Sequence, residues 1–438
     1  MHRLSTLLTI LVALLLALSV NADNRTWQGK LNAGGASLTL VLHIDSAPDG
    51  TTTFTLDSPD QGAAGIPAQG QWDGSNLDIS IKTIGASCQG TLDNNGNIQA
   101  TFTQMGMSFP ITFQPKAAQP EPNRNQTPAN FTELEREYDF NGVHLAGTLT
   151  LPNGNGPFPT VVMITGSGTQ DRDETIGQHK PFAQIAHHLA NHGIASLRCD
   201  DRGAGKSSPL TGNETSLDFA ADARNLLKAL QSEPRVNPRQ IGYLGHSEGG
   251  QIAILNSVSD PKPAFIIALA APTVNGVEMI VRQNENLAQL SGTPLSGQQT
   301  EALRRTFRLA ADNAPADDVR AALLASGLPI TNIDAQVTAI CSPWYRQMLR
   351  IDPTDAISRC TSPMLALYAE RDAQVDPAQN ATVVRMLLPG AKCVILPGLN
   401  HLFQPCATTR AGLAYNAINE PIAQQALQAI SDFINQLP

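Results

Sequence analysis

The hexapeptide Gly245-His246-Ser247-Glu248-Gly249-Gly250 limits the possible folds of this chain more than any other stretch. It follows the apolar run Ile241-Gly242-Tyr243-Leu244 and leads into Gln251-Ile252-Ala253-Ile254. That order predicts a buried strand turning sharply into a helix. Small residues two places either side of the serine let the backbone close the turn and raise Ser247 at its apex. The helix N-terminus behind it favours negative charge developing beside the serine.

The same alternation surrounds this turn. Val161–Thr165, Ile194–Leu197, Phe265–Ala271, Met364–Tyr368 and Val394–Leu396 read as further buried strands. Phe182, Ile185, Ala186 and Leu189, then Phe219, Ala223, Leu226, Leu227 and Leu230, mark helix faces between them. Strands alternating with helices predict a mostly parallel sheet covered on both faces, with chemistry at the carboxyl ends of its strands. Between residues 275 and 358 the strand signal gives way to helical segments, Glu278–Gln289, Gly297–Ala311 and Asp317–Ala325, which read as a lid over those ends.

Residues 23–115 have a different rhythm. Leu38, Leu40, Leu42 and Ile44 alternate with residues of the other face, as do Leu77–Ile81, Ile98–Phe102 and Phe109–Phe113. Turn residues such as Asp73-Gly74 separate the runs, so this part predicts a small antiparallel β domain, barrel or sandwich, with a packing or substrate-positioning role. Residues 116–130 are Pro-rich and polar, a linker. Residues 1–22 combine a basic start, an apolar run from Leu7 to Val20 and Val20-Asn21-Ala22, the pattern of a secretory signal cut after Ala22; a secreted or periplasmic location follows.

A serine hydroxyl is a weak nucleophile until a base takes its proton. His401 is the one histidine after Ser247, just beyond the last strand. The acid that orients it belongs after Met364–Tyr368, where Glu370, Asp372 and Asp376 compete; Asp372 is favoured because Asp376, before Pro377, suits a helix cap. The oxyanion of a tetrahedral intermediate needs two N–H donors, one from Glu248 and one from the turn Gly166-Ser167-Gly168, with Ser167 preferred to Gly168. That turn lacks the lysine of a phosphate loop and the third glycine of a dinucleotide fingerprint. No Cys/His cluster has metal-site spacing, so no metal and no cofactor are implied. A net charge of −9 without a basic block speaks against nucleic acid, and no later stretch is long enough to span a membrane.

Five stretches, 166–174, 179–182, 198–207, 245–250 and 399–404, resemble the α/β-hydrolase superfamily. Within it they are similar to the bacterial esterase and serine-aminopeptidase-like branch, related to prolyl oligopeptidases and dienelactone hydrolases. The resemblance covers residues 131–438 and implies nucleophile, acid and base at Ser247, Asp372 and His401. The loop Tyr-Ala-Glu-Arg-Asp departs from it, since that branch usually carries a glycine before the acid. The function implied is cleavage of a small-molecule carboxylic ester through an acyl-enzyme. A serine exopeptidase on the same fold is the alternative, and a non-catalytic binding protein the alternative of another class. Trp344, His246 and Phe403 are candidate pocket residues, with packing under the turn the favoured role for His246. Asp201 and Arg202 are expected to fix a loop beside the site through a salt bridge, with direct substrate contact the alternative. In the implied fold Cys360–Cys393 and Cys341–Cys406 are candidate bridges, leaving Cys88 and Cys199 free and buried.

Overall fold

The computed structural model describes residues 23–438 except 34–35, 47–51, 59–62, 82–83, 94, 105–106, 117–129, 329, 331, 416–417 and 438. Residues 1–22, read above as a secretory signal, and all of the expected linker but Lys116 and Asn130 therefore lie outside the described residues. The chain divides into two compact units, residues 1–126 and 127–438.

The first unit is a closed antiparallel barrel of eight strands in chain order: β1 Asp23–Ala33, β2 Ala36–Ser46, β3 Thr52–Ser58, β4 Ala63–Trp72, β5 Asn76–Ile81, β6 Ala86–Leu92, β7 Ile98–Gln104 and β8 Met107–Pro115. It closes where Trp27 and Gln28 of β1 pair with Pro115 and Gln114 of β8. Side chains alternate, so Leu42, Phe54, Ile79, Ile98, Phe102 and Phe113 fill the interior while Gln, Thr and Lys face outward. The alternating runs of the sequence correspond to β2, β5, β7 and β8. Strands β4 (AAGIPAQGQW) and β6 (ASCQGTL) carry too few apolar residues to stand out, and their neighbours' hydrogen bonds recruit them.

The second unit is an α/β-hydrolase fold. Its strands are β9 Phe131–Phe140, β10 Val143–Pro152, β11 Phe158–Ile164, β12 Ala195–Cys199, β13 Val236–His246, β14 Ile266–Leu269, β15 Met364–Ala369 and β16 Lys392–Leu396. They lie in the order β16-β15-β14-β13-β11-β12-β10-β9. All pairs from β12 to β16 are parallel, and β10 and β9 extend the sheet antiparallel. The helices are α1 Pro181–Asn191, α2 Ser216–Leu230, α3 Glu248–Leu255, α4 Gly276–Leu290, α5 Gly297–Ala311, α6 Ala316–Leu324, α7 Ile333–Ile340, α8 Pro343–Arg350, α9 Thr354–Arg359, α10 Pro377–Leu387 and α11 Gln424–Asn435. One face of the sheet is covered by α2, α3 and α9, the other by α1 and α11. Among the described residues no helix is long and apolar enough to cross a membrane.

Helices α4–α8 interrupt the sheet between β14 and β15 and build their own core from Val281, Leu303, Phe307, Val319, Leu323 and Leu349. The ends of the insertion are stapled together, since Gly276 N donates to Ile351 O at 2.9 Å. Arg346 donates to the carbonyls of Ala310, in the last turn of α5, and of Ala314 just beyond it, tying α8 to that end of α5.

Candidate active site

Ser247 lies between β13 and α3 with φ 52° and ψ −119°, a backbone state that side-chain-bearing residues rarely adopt. Such a residue costs about 1–3 kcal/mol and persists only where its surroundings enforce it. Here a Cβ on Gly245 would come within 2.0 Å of Gly249 O, and one on Gly249 within 2.0 Å of Ile164 O. Only glycine fits at either place, so the turn packs tightly against β11 and presents Ser247 at the carboxyl end of the sheet.

His401 sits in the loop after β16. Its Nδ1 lies 2.6 Å from Asp372 Oδ2, and both side chains are buried. The second oxygen, Oδ1, accepts the backbone N–H groups of Gln374 (2.8 Å) and Val375 (3.0 Å), which fixes the carboxylate. Asp376 caps α10 by accepting from Gln379 N, and Glu370 accepts from Gly398 N, so neither reaches His401. The chain reaches Asp372 without a glycine because neither Glu370 nor Arg371 takes a positive φ. The histidine loop is held by a residue that sequence reasoning missed. Buried Asn400 accepts from Leu402 N and Gln404 N and donates to Gln404 Oε1 and Gly412 O. Its signal was an asparagine directly before His401, in the turn Pro397-Gly398-Leu399-Asn400.

The turn after β11 brings Ser167 to the wall of a cavity of about 220 Å³ that also contains Ser247 and Glu248. Gly168, with φ 95°, lines a separate, smaller cavity. Glu174, a second missed residue, is buried beneath the turn and accepts from Gly166 N at 2.7 Å. Beyond it, Arg172 clasps Asp200 through two bonds and also reaches Glu135, while Arg198 reaches Asp173 and Glu133. The His187 hydrogen bond, with Arg198 nearby, outweighs desolvation and pulls the Glu133 carboxyl down to about 2. These pairs tie the loop after β11 to β9 and β12.

Three expectations need correction. Asp201 and Arg202 do not pair. Asp201 accepts from Thr165 Oγ1 and Gln170 N, and burial pushes its carboxyl well above the usual carboxylate range. Arg202 instead grips Asp222 of α2 with two bonds of 2.7 Å. Phe403 does not line the cavity, and His246 takes the packing role favoured for it, not a pocket role. His246 is buried under the turn between Glu174 and His401 O, and Phe403 packs with Leu399 and Ile422 in the core. The cysteines at 341, 360, 393 and 406 are unbridged, as are 88 and 199. Cys393 is level with Ala366 of β15, six residues past Cys360, so the strand starts do not bring the two thiols together.

Trp344 of α8 does line the cavity, with Met279, Ile280, Gln283, Tyr345 and Met348 from the insertion. Its Nε1 donates to Glu248 Oε1 at 2.9 Å, and Ser216 Oγ donates to the same oxygen at 2.6 Å. Among the described lining residues Glu248 is the one carboxylate. The insertion acids point elsewhere: Glu278 pairs with Arg304 and Glu285 with Arg282.

Known proteins resemble this chain in sequence and fold. Esterase EstD of Thermotoga maritima is 28% identical over 270 residues, which cover 61% of this chain and 60% of EstD. Esterase FrsA of Klebsiella pneumoniae is 29% identical over 145 residues, 32% of this chain and 33% of FrsA. The chain thus spans about three fifths and one third of the lengths of these relatives. Among solved structures, an esterase of Pyrococcus furiosus aligns with TM-score 0.46 and 14% identity over 72% of this chain and 95% of that one. Est1E of Butyrivibrio proteoclasticus, with ferulic acid bound, aligns at 0.44 and 16% over 69% and 98%. The family described as "Serine aminopeptidase, S33" matches residues 176–404, a span that runs from the loop before α1 through the Ser247 turn to the His401 loop. Over half of the chain is covered by that match, and the chain belongs to this family of α/β-hydrolases.

Proposed function

We propose that this protein is a carboxylesterase that works through an acyl-enzyme on Ser247. The observation that carries the reading is the 2.6 Å bond from His401 Nδ1 to buried Asp372, in loops at the same end of the sheet as the strained Ser247 turn. With Nδ1 committed to Asp372, Nε2 is left to take the serine proton. Ser247 Oγ attacks the ester carbonyl carbon, and its proton passes to His401. The carbonyl oxygen becomes an oxyanion held by the N–H groups of Glu248 and Ser167. The intermediate collapses, and His401 returns the proton to the departing alkoxide. Water then attacks the acyl-enzyme with the same base, freeing the acid and restoring Ser247.

The cavity supports ester over aminopeptide cleavage. Binding a substrate ammonium needs an accessible carboxylate, and Glu248, the one carboxylate among the described lining residues, is buried, with Oε1 holding Ser216 and Trp344. Short acyl groups fit about 220 Å³ with an aromatic and thioether wall. Residues 1–22 support export, with the mature chain starting at Asp23.

A fluorophosphonate probe tests the reading directly. It labels Ser247 in the wild type, and Ser247→Ala removes both labelling and turnover of short-chain aryl esters. Wild-type turnover by the alanine variant sinks the assignment. Higher kcat/KM on aminoacyl amides than on aryl esters moves the activity to a peptidase. Amino-terminal sequencing of protein recovered outside the cytoplasm checks the cut after Ala22.

A further inference from the structure

The mechanism leaves one buried pair of titratable groups unused. His246 Nδ1 lies 2.9 Å from Glu174 Oε1, and His246 Nε2 lies 3.1 Å from His401 O. A carbonyl oxygen cannot donate, so Nε2 carries a proton. On the other side, Glu174 Oε1 already accepts from Gly166 N at 2.7 Å. Glu174 Oε2 is buried without a protein hydrogen-bond partner. Both histidine nitrogens thus face acceptors, the arrangement that suits an imidazolium against a carboxylate. The rings of His246 and His401 are tilted by 51° with centroids 4.7 Å apart. The pair therefore touches Gly166, next to the Ser167 donor, and the backbone of the base itself, while His246 adjoins the nucleophile in sequence.

We infer that Glu174 and His246 are positioning residues that lock the oxyanion turn and the His401 loop in register around Ser247. The inference rests on the proposed roles of Ser247, Ser167 and His401. Neither residue lines the cavity, so neither is placed to touch substrate. Their contribution falls on transition-state geometry, where displacements near 1 Å cost about a hundredfold in rate.

Charge gives the pair a pH signature. The groups facing His246 are Glu174 from the loop after β11, His401 from the loop after β16 and Asp372 from the loop after β15. Burial opposes the imidazolium, but the charge and hydrogen bond of Glu174, with the His401 carbonyl, outweigh it and raise its pKa. A raised value means the lock is complete below about 6.5, the ordinary histidine value, and is lost as pH rises through the higher folded-state value.

Steady-state kinetics on an aryl ester with Glu174→Gln, in the full chain, tests the inference. The expected result is kcat lower by about 10- to 100-fold with KM nearly unchanged. The alkaline limb of the kcat–pH profile moves to lower pH, a shift that loss of packing alone does not produce. Gly166→Ala is the second variant, for use if the first fails to fold. Its Cβ would stand 2.9 Å from Glu174 Oε1 and 3.6 Å from His246 Nδ1, pressing on the pair without removing charge. It is expected to lower kcat by a smaller factor, again at constant KM. Wild-type kcat and an unmoved alkaline limb in a folded variant that still labels at Ser247 overturn the inference. An unlabelled but active wild type overturns the reading beneath it.

Discussion

The two units fill their interiors in opposite ways. The barrel buries aliphatic and aromatic side chains, and Ser58 is the one polar residue buried among its described residues. The hydrolase unit buries Glu174, Arg198, Asp200, Asp222, His246, Glu248, Asp372 and His401. Burying a charge costs several kcal/mol unless it is paired and hydrogen-bonded. In the hydrolase unit most of these charges are accordingly paired, Arg198 with Asp173 and Glu133, Asp222 with Arg202, Asp372 with His401, while Glu248 accepts from Ser216 and Trp344. A stability argument alone accounts for the barrel. It does not account for the hydrolase interior, where apolar residues of similar volume would serve stability as well. Apart from Asp222, on α2, these buried charges lie at the carboxyl ends of the strands and in the segments that directly follow them, which is where the proposed chemistry happens.

The largest effect expected from that contrast is on the rate of ester cleavage. His401→Ala lowers kcat by about 10⁴-fold or more, and Asp372→Asn by about 10⁴-fold, because the imidazole then loses the partner that fixes its tautomer. Asp376→Asn serves as the control, since asparagine caps a helix as well as aspartate does, and its kcat stays near wild type. Equal losses in the two Asn variants would break the assignment of the acid.

Next in size is a change in the barrel that spares catalysis. Phe102 is buried against Cys88, Ile98 and neighbouring strands, and Phe102→Ala is expected to destabilise the barrel by about 3–5 kcal/mol. Hydrogen exchange or calorimetry should register an early unfolding step, while turnover of small aryl esters at low temperature stays unchanged. Loss of turnover in proportion to barrel unfolding would mean that the two interiors are coupled, and that the barrel helps to build the site.

How legible this was from sequence differs in the same way. The Ser247 turn could be read because local sterics determine it: Gly245 and Gly249 are needed by atoms four to eighty-five residues away, yet both stand beside the serine. His401 and Asp372 followed from their position after buried strands. What could not be read were partners chosen by tertiary packing. Arg202 seemed to belong to Asp201, its chain neighbour, but successive residues point in different directions, and Arg202 finds Asp222 on α2 instead. Glu174 gave no periodic signal, because its partners Gly166 and His246 meet only once β11 and β13 pair. In the barrel, β4 and β6 are strands by virtue of their neighbours, so their own composition could not announce them.

A smaller effect tests the insertion. Trp344 Nε1 ties α8 to Glu248, the residue whose N–H is proposed to hold the oxyanion. Trp344→Phe keeps the aromatic wall and removes one hydrogen bond to a charged group, worth about 1.5–3 kcal/mol. Part of that loss should appear in catalysis as lower kcat/KM on short acyl esters, with relative tolerance of longer acyl chains as α8 loosens. An unchanged acyl-length profile would make Trp344 a packing residue of the insertion.

The last prediction changes no rate and reads the two interiors with one probe, the thiol. Only thiolate reacts with iodoacetamide, so both access and pKa govern labelling. Burial in the barrel core pushes Cys88 up to about 12, with no opposing charge. Cys406 is also raised by burial, but it is partly exposed and Arg371 draws its pKa back down through charge and a hydrogen bond. Cys341 is partly exposed in the insertion, whereas Cys199 and Cys360 are buried. Native labelling near pH 8 should therefore reach Cys341 and Cys406 first and leave Cys88 and Cys199 untouched until the protein unfolds. Denaturation without reductant should then expose six titratable thiols. Recovery of a 341–406 or 360–393 disulfide peptide would show that the protein oxidises after folding, and early labelling of Cys88 would show that the barrel interior opens far more often than its apolar packing implies.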